Sequence, residues 1–361
     1  MRKIEQSDLE AIAALSQEFG IDRYVRGGGG NTSVKDGKTL WVKPSGKALV
    51  DLQPSDLLAM DRMKLANLYH VEPPAGPKDR EALIKTEMAG AVLSSTPGRA
   101  SVEAPLHDSL KAKFIVHTHP ALVNGMTCAQ LGKQECGKLF PDALWVDYVD
   151  PGYTLCMRVR QETQNYERQH KHQPVIIFLE NHGVFVAGDT PEEIREVYAR
   201  IMSILSSVYD AIKICTKEPL IEEPSLYDIE GIERQLREIL PDQEAAAVNV
   251  NCYFVVAAGP LTPDHIVYHK SYPFTSSWTV RAIEDYIQKF GYYPQVLVDK
   301  NCVVTIGSGQ RKADLAMEMA RDGALVARLT DAFGGVRYMD DRSRRFIENW
   351  EVEAYRSEQI K

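Results

Sequence analysis

"PVIIFLENHGVFVAGDTPEEIREVYARIMSILSSVYDAI", residues 174–212, reads as a strand, a break at Asn181-His182-Gly183, a second strand and a long helix. The helix start is marked by Thr190-Pro191-Glu192-Glu193, a capping box with proline at the first helical position. The same alternation recurs along the chain. "TLWVKPSG" (39–46) is a short strand ending in a turn, and "KFIVHTHP" (113–120) is a strand stopped by proline. Strands interleaved with helices predict an α/β protein.

With 361 residues the chain is long enough for two domains. Its 50 acidic and 42 basic residues give a net charge of −8, which disfavours nucleic acid and anionic membranes as partners. Any phosphate bound must therefore be met by a local device. No run of 18 apolar residues occurs, the opening residues 1–20 are expected to form an amphipathic helix and not a signal peptide, and the six cysteines form no CxxC pair. Free thiols in a reducing cytoplasm are the expectation.

The texture restarts after "CTKEPLIEEPSL" (215–226), so a first domain over 1–220 and a smaller α/β domain over 221–361 are expected. The second holds a predicted strand at 247–259 and a predicted helix at 276–291. Its stretch 294–333 aligns under the segment from Pro174, with Asn301 under Asn181 and Cys302 under His182, a degenerate internal repeat. In "TPDHIVYHK" (262–270) the Val and Tyr content suits a strand. On a strand His265 and His269 would lie about 13 Å apart, too far to share one ion. The second domain is thus expected to bind no metal and to serve assembly or wall the active site.

The chemistry gathers in the first domain. In "FIVHTHPALV" (114–123) the residues His117 and His119 leave one strand face side by side, about 7 Å apart at the backbone. Two histidines on a polar strand edge would need no further account. His182, beside Gly183 that lets the backbone turn sharply, makes a third. Three histidines with one position left open form a catalytic zinc arrangement. In "RASVEAPLHDSL" (99–110) Ser101 stands where a helix would begin and Glu103 in its first turn. Glu103 is either a carboxylate compensating the helix dipole or a base beside a Lewis acid, with His107 at i+4 to orient it. "RGGGGNTS" (26–33) offers a nest of glycine N–H groups through Gly30, with Asn31 and Ser33 as further donors. "KPSGK" (43–47) adds Ser45, the Gly46 N–H and two flanking lysines.

Taken in order, GGGGNTS, KPSG, SVE, HTHP and ENHG resemble the landmarks of the class II aldolase/adducin family, over about residues 5–215. That family includes L-fuculose- and L-rhamnulose-1-phosphate aldolases and L-ribulose-5-phosphate 4-epimerase. The resemblance implies an α/β/α layered fold with a central, mostly antiparallel sheet, in a homo-oligomer with a tetramer favoured. It implies one zinc (or another divalent ion) per chain on His117, His119 and His182, and Glu103 as catalytic acid/base. It also implies Asn31, Ser45, Gly46 and Ser101 as phosphate contacts. The epimerase carries aspartate at the Glu103 position, so glutamate favours aldol cleavage. Val102 departs from the pattern, standing where relatives carry a second phosphate-binding serine, and the interval from Glu103 to His117 is short. The nearest resemblance is to the aldolase portion of bifunctional rhamnulose-1-phosphate aldolase/short-chain dehydrogenase proteins, shared through "GPLTPDHIVYHK" (259–270). No GxGxxG follows a strand, so the dehydrogenase itself is not expected here.

The implied reaction is reversible cleavage of a ketose 1-phosphate, of rhamnulose or fuculose type, to dihydroxyacetone phosphate and an aldehyde. Tyr148 and Tyr153, in "WVDYVDPGY" (145–153), are the candidate acids for the aldehyde oxygen. A separate aldehyde dehydrogenase or reductase is the natural partner. The same residues suit dehydration, decarboxylation or epimerisation of sugar phosphates, and a non-catalytic adducin-like protein or a sugar-phosphate-binding regulator would share the fold.

Overall fold

The amphipathic opening of the chain forms α1 (Gln6–Phe19), burying Ile12, Leu15 and Phe19. A meander of β1 (Asn31–Lys35), β2 (Thr39–Val42) and β3 (Leu58–Asp61) leads into α2 (Arg62–Asn67), α3 (Pro77–Ala91) and α4 (Ala104–Ser109). Then come β4 (Phe114–Thr118), α5 (Ala121–Thr127), α6 (Gly132–Leu139), β5 (Leu144–Val146) and α7 (Tyr153–His170). The hairpin of β6 (Ile176–Leu179) and β7 (Gly183–Gly188) runs into α8 (Pro191–Ala211), in the order its sequence predicts. The computed structural model describes residues 3–350 except 75, 94–97, 220–227 and 242. Two units emerge, Met1–Thr127 with Leu131–Val208, and Cys128–Gln130 with Tyr209–Lys361. The boundary expected at 220/221 lies outside the described residues.

In the first unit the seven strands lie in the order β3-β2-β1-β4-β7-β6-β5. Every neighbouring pair is antiparallel except β5 with β6. Side chains alternate between faces, and the two faces bury against different helices. Ile115, Ile177 and Phe185 pack with Leu106 and Leu110 near α4 and with Leu155 and Val159 of α7. On the other face Thr118 shares a 2.8 Å hydrogen bond with the Tyr198 hydroxyl of α8, whose ring meets Phe19 of α1 at 4.4 Å. Each large apolar side chain so buried contributes roughly 1.5–3 kcal/mol. The α/β/α layering follows from that two-sided burial. At the start of α8 the Glu193 N–H donates to Thr190 Oγ1 (3.2 Å), while the Glu193 carboxylate accepts from the Asp189 N–H (2.7 Å). Thr190 thus caps the helix as its sequence predicts, and only the returning carboxylate bond is displaced by one residue, to Asp189.

The second unit comprises α9 (Ile229–Ile239), β8 (Ala247–Cys252), α10 (Pro263–His269), α11 (Val280–Phe290), β9 (Val296–Val298), β10 (Cys302–Gly307), α12 (Gln310–Leu329) and α13 (Asp341–Glu348). Its sheet is antiparallel, in the order β8-β10-β9. β9, β10 and α12 repeat the strand–strand–helix order of β6, β7 and α8. Cys302 packs among Leu240, Val250 and Phe274. The strand expected over 247–259 stops at Cys252, and the helix expected over 276–291 starts only after its Thr279 cap. "TPDHIVYHK" is a helix and not a strand. The Thr262 side chain caps it and Pro263 opens it, and this local signal outweighs the β-branched content. The rings of His265 and His269 therefore lie 5.6 Å apart, not at strand spacing. Both nitrogens of His265 are engaged, by Thr262 Oγ1 (2.7 Å) and by Asp322 (3.1 Å). Burial pushes the His269 pKa down to about 3. No helix among the described residues is long and apolar enough to cross a membrane.

Lys35, on β1, is fully buried and donates to the His107 carbonyl. Burial holds its pKa down to about 7 from an ordinary 10.5. Between those values the unfolded chain binds the extra proton, so Lys35 makes the first unit more stable as pH rises. We predict that the urea-unfolding free energy of the wild type, minus that of Lys35→Met, grows between pH 7 and 9. A flat difference would contradict the buried, readily deprotonated ammonium.

Candidate active site

Strand register brings the predicted residues to one end of the sheet. β1 pairs with β4 so that Asn31 lies opposite His117, and β4 pairs with β7 so that His117 lies opposite Phe185. The β6–β7 hairpin closes with Leu179 opposite Gly183. In its turn Asn181, with φ of 51°, takes the left-handed conformation, and its N–H donates to the Thr127 carbonyl (3.1 Å). Asparagine tolerates that region. Gly183, expected to make the turn, serves instead for close approach. A Cβ there would lie 2.5 Å from the Thr118 carbonyl oxygen and 2.6 Å from His119 Cδ2.

One donor nitrogen from each of His117, His119 and His182 lies within 4.8 Å of the others. The ring of His117 stacks on Phe185 at 3.9 Å and 7°, and its Nδ1 donates to the Val184 carbonyl (2.9 Å). That bond places the proton on Nδ1 and leaves the Nε2 lone pair available. His119 Nε2 is only 2.9 Å from it, and the His182 ring centroid is 5.0 Å from that of His117. Converging imidazoles suit a zinc-like divalent ion, and three protein ligands leave a position for substrate. The chemistry of this donor set fits a metal.

Glu103 completes the group. Its Oε1 lies 3.5 Å from His117 Nε2 and 3.7 Å from His182 Nε2. It is the N-cap residue of α4 and not part of its first turn, and its side chain caps nothing. The carboxylate instead accepts from the Asn31 side-chain amide at 2.5 Å. Its backbone N–H donates to Ser101 Oγ (3.2 Å). His107, expected to orient the carboxylate, does not touch it through its ring. Its Nδ1 lies 2.8 Å from Ser33 Oγ, and burial holds its pKa well below the usual value, which favours the neutral ring. Asn31 does the orienting. Sequence reading gave it only a phosphate role, since nothing in the pattern links positions 31 and 103.

The loops assemble at the same end. Gly30 has φ of +71°, and a Cβ on it would lie 2.8 Å from the His117 carbonyl oxygen. The Gly29 N–H donates to the Arg26 carbonyl (3.0 Å), so the glycine run is not an open nest throughout. The Ser45 N–H donates to the Arg99 carbonyl (2.8 Å), and Pro44 bridges to Ala100, which seats Ser45 and Gly46 against the stretch leading to buried Ser101. The flanking lysines are committed elsewhere, Lys43 to the Lys47 carbonyl (2.7 Å) and Lys47 to Asp56 (3.1 Å). Tyr148 is half-buried, and its N–H donates to the Glu180 carboxylate (2.8 Å), two residues before His182. The Tyr153 hydroxyl donates to the Leu68 carbonyl (3.0 Å), and its ring packs with Leu65 and Met88, a core role.

Residues 10–205, more than half of the chain, match the family described as Class II Aldolase and Adducin N-terminal domain. The chain is 26% identical over 304 residues to a protein of Bacillus subtilis named "Uncharacterized oxidoreductase YuxG", covering 75% of this chain and 42% of that one. It therefore spans less than half the length of that relative. It is 25% identical over 189 residues to the L-fuculose phosphate aldolase of Methanocaldococcus jannaschii, covering 50% of this chain and 81% of that one. Among solved structures, the N-terminal class II aldolase domain of a conserved protein from Thermoplasma acidophilum matches at 22% identity and a TM-score of 0.48. It covers 57% of this chain and 96% of that one.

Gly183→Ala must push the backbone from His119 and is expected to lower the affinity for a divalent ion, probed with zinc, by about 10–100-fold, the usual cost of disturbing a ligand's support. Gly37→Ala, where a Cβ meets nothing within 4 Å, should leave it unchanged. Equilibrium dialysis reads both variants. Equal affinities would remove His119 from the site.

Proposed function

The chain belongs to the class II aldolase and adducin family, and on that premise we propose that it is a zinc-dependent aldolase. In this reading it cleaves a ketose 1-phosphate of rhamnulose or fuculose type to dihydroxyacetone phosphate and an aldehyde. The observation that carries the reading is the buried Glu103 carboxylate, held by Asn31 beside His117 and His182 of the three convergent histidines. A divalent ion on His117, His119 and His182 would polarise the substrate ketone.

The chain's own residues then divide the work. In the condensing direction Glu103 takes a proton from the hydroxymethyl carbon of dihydroxyacetone phosphate, which becomes the nucleophile; in cleavage it returns that proton. Asn31 keeps the carboxylate aimed, and its Oδ1, buried and without a partner among the described residues, is available to a substrate hydroxyl. The hydroxyls of Ser45 and Ser101 and the backbone N–H groups of Gly30 and Gly46 hold the phosphate, converting binding into orientation. Tyr148 is the proposed proton donor to the aldehyde oxygen. A homo-oligomer, favoured as a tetramer, in the cytoplasm belongs to the same reading. The longer Bacillus relative, named an oxidoreductase, supports a dehydrogenase or reductase acting on the aldehyde.

Metal-loaded protein should release dihydroxyacetone phosphate from at least one member of a panel of ketose 1-phosphates. Glu103→Gln keeps the shape but cannot accept a proton, so turnover should fall about 10²–10⁴-fold with metal still bound. No release across the panel, or near-normal turnover in the variant, would overturn the proposal.

A further inference from the structure

Away from the histidines, the first unit carries a cleft of about 550 Å³ lined by residues of α2, the end of α4 and α7. It shares no residue with the candidate active site, and its size is that of a small-molecule site. Three cations border it, Arg62, Lys111 and Arg160. Two are committed. Arg62 bonds the Asp108 carboxylate and the Asp36 carbonyl, and Lys111 pairs with Glu167. Asp108 also accepts from the Tyr69 hydroxyl (2.9 Å), so its charge is met from two sides.

Arg160 differs. Its guanidinium lies over the Tyr69 ring at 4.5 Å, and among the described residues it makes no hydrogen bond or ion pair. Stacking occupies the flat face of a guanidinium and leaves its in-plane N–H donors for a forked acceptor. One turn further along α7, on the same helix face, Thr163 is 2% exposed, lines the cleft, and has an Oγ1 with no partner among the described residues. A buried hydroxyl in that state is costly unless something fills the space beside it. Met63, 79% exposed on the rim, adds apolar surface for a carbon skeleton.

We propose that this cleft is a second ligand site, taking a small metabolite whose phosphate or carboxylate group is gripped by Arg160 and hydrogen-bonded by Thr163. The oriented, uncommitted guanidinium supplies the charge and the forked geometry. The orphaned hydroxyl supplies a further bond, and the neutralised pairs around it do not repel an anion. The proposal stands apart from the aldolase reading, since none of its residues serves that chemistry. Asp108, on the cleft wall, and Glu103 belong to opposite ends of α4, so the two sites share one short helix.

Calorimetric titration of the intact chain with inorganic phosphate, and separately with malonate, tests it. Arg160→Gln should weaken binding at one class of sites by about tenfold or more, with Arg160→Lys intermediate and Thr163→Val weaker than wild type. Ser45→Ala should leave that class unchanged, which separates it from phosphate held at the other loops. Binding of phosphate alone supports a phosphate ester as the ligand, and binding of both anions supports a carboxylate as well. Should Arg160→Gln fail to fold, the near-isosteric Thr163→Val carries the test. Wild-type affinities for both anions in Arg160→Gln and Thr163→Val, or no anion bound beyond the class removed by Ser45→Ala, would overturn the proposal.

Discussion

β4 is hydrogen-bonded along both edges, to β1 on one side and β7 on the other, and every side chain it carries is buried. Because strand side chains alternate between faces, a slip of one residue would turn His117 toward the layer of Tyr198 and drive Thr118 into that of Phe185. The apolar residues on both sides forbid it. Phe114 and Val116 belong to one layer and Ile115 to the other, and all three are fully or nearly fully buried. This register sets where Asn31 and Phe185 meet His117, and the β6–β7 hairpin then delivers His182 to the same place.

A site built at such a strand end is a polar island in a dry surround. Glu103 is 7% exposed and His117 is fully buried. Buried carboxylates and imidazoles are tolerated only when their hydrogen bonds are met. Asn31 meets one oxygen of Glu103, and the Val184 carbonyl meets the Nδ1–H of His117. The Nε2 atoms of His117 and His119 face each other at 2.9 Å. A proton or a cation must lie between two imidazole nitrogens at that distance, and a third imidazole converging on the same point suits a divalent cation.

The strand–turn–strand–helix of 174–212 and the three histidines were legible because they depend on local signals: apolar runs, a proline-opened cap, and two histidines at strand spacing. What was not legible depends on contacts distant in sequence or on one backbone angle. Asn31 reaches Glu103 across 72 positions, and Ser33 reaches His107 across 74. Neither pairing leaves a periodic trace. Asn181, not Gly183, carries the left-handed angle, because the glycine is spent on proximity to His119. The misreading of 262–270 had a different origin, with a single N-cap at Thr262 deciding against several β-favouring residues.

In the proposed reaction Glu103 moves a proton on a carbon beside a metal-polarised ketone. Dihydroxyacetone phosphate incubated with the zinc-loaded chain in deuterium oxide, and followed by proton NMR, isolates that step without any aldehyde. One hydroxymethyl hydrogen should exchange for deuterium in the wild type and be retained with Glu103→Gln. Retention of both hydrogens with zinc-loaded wild type, or undiminished exchange in the variant, would contradict it.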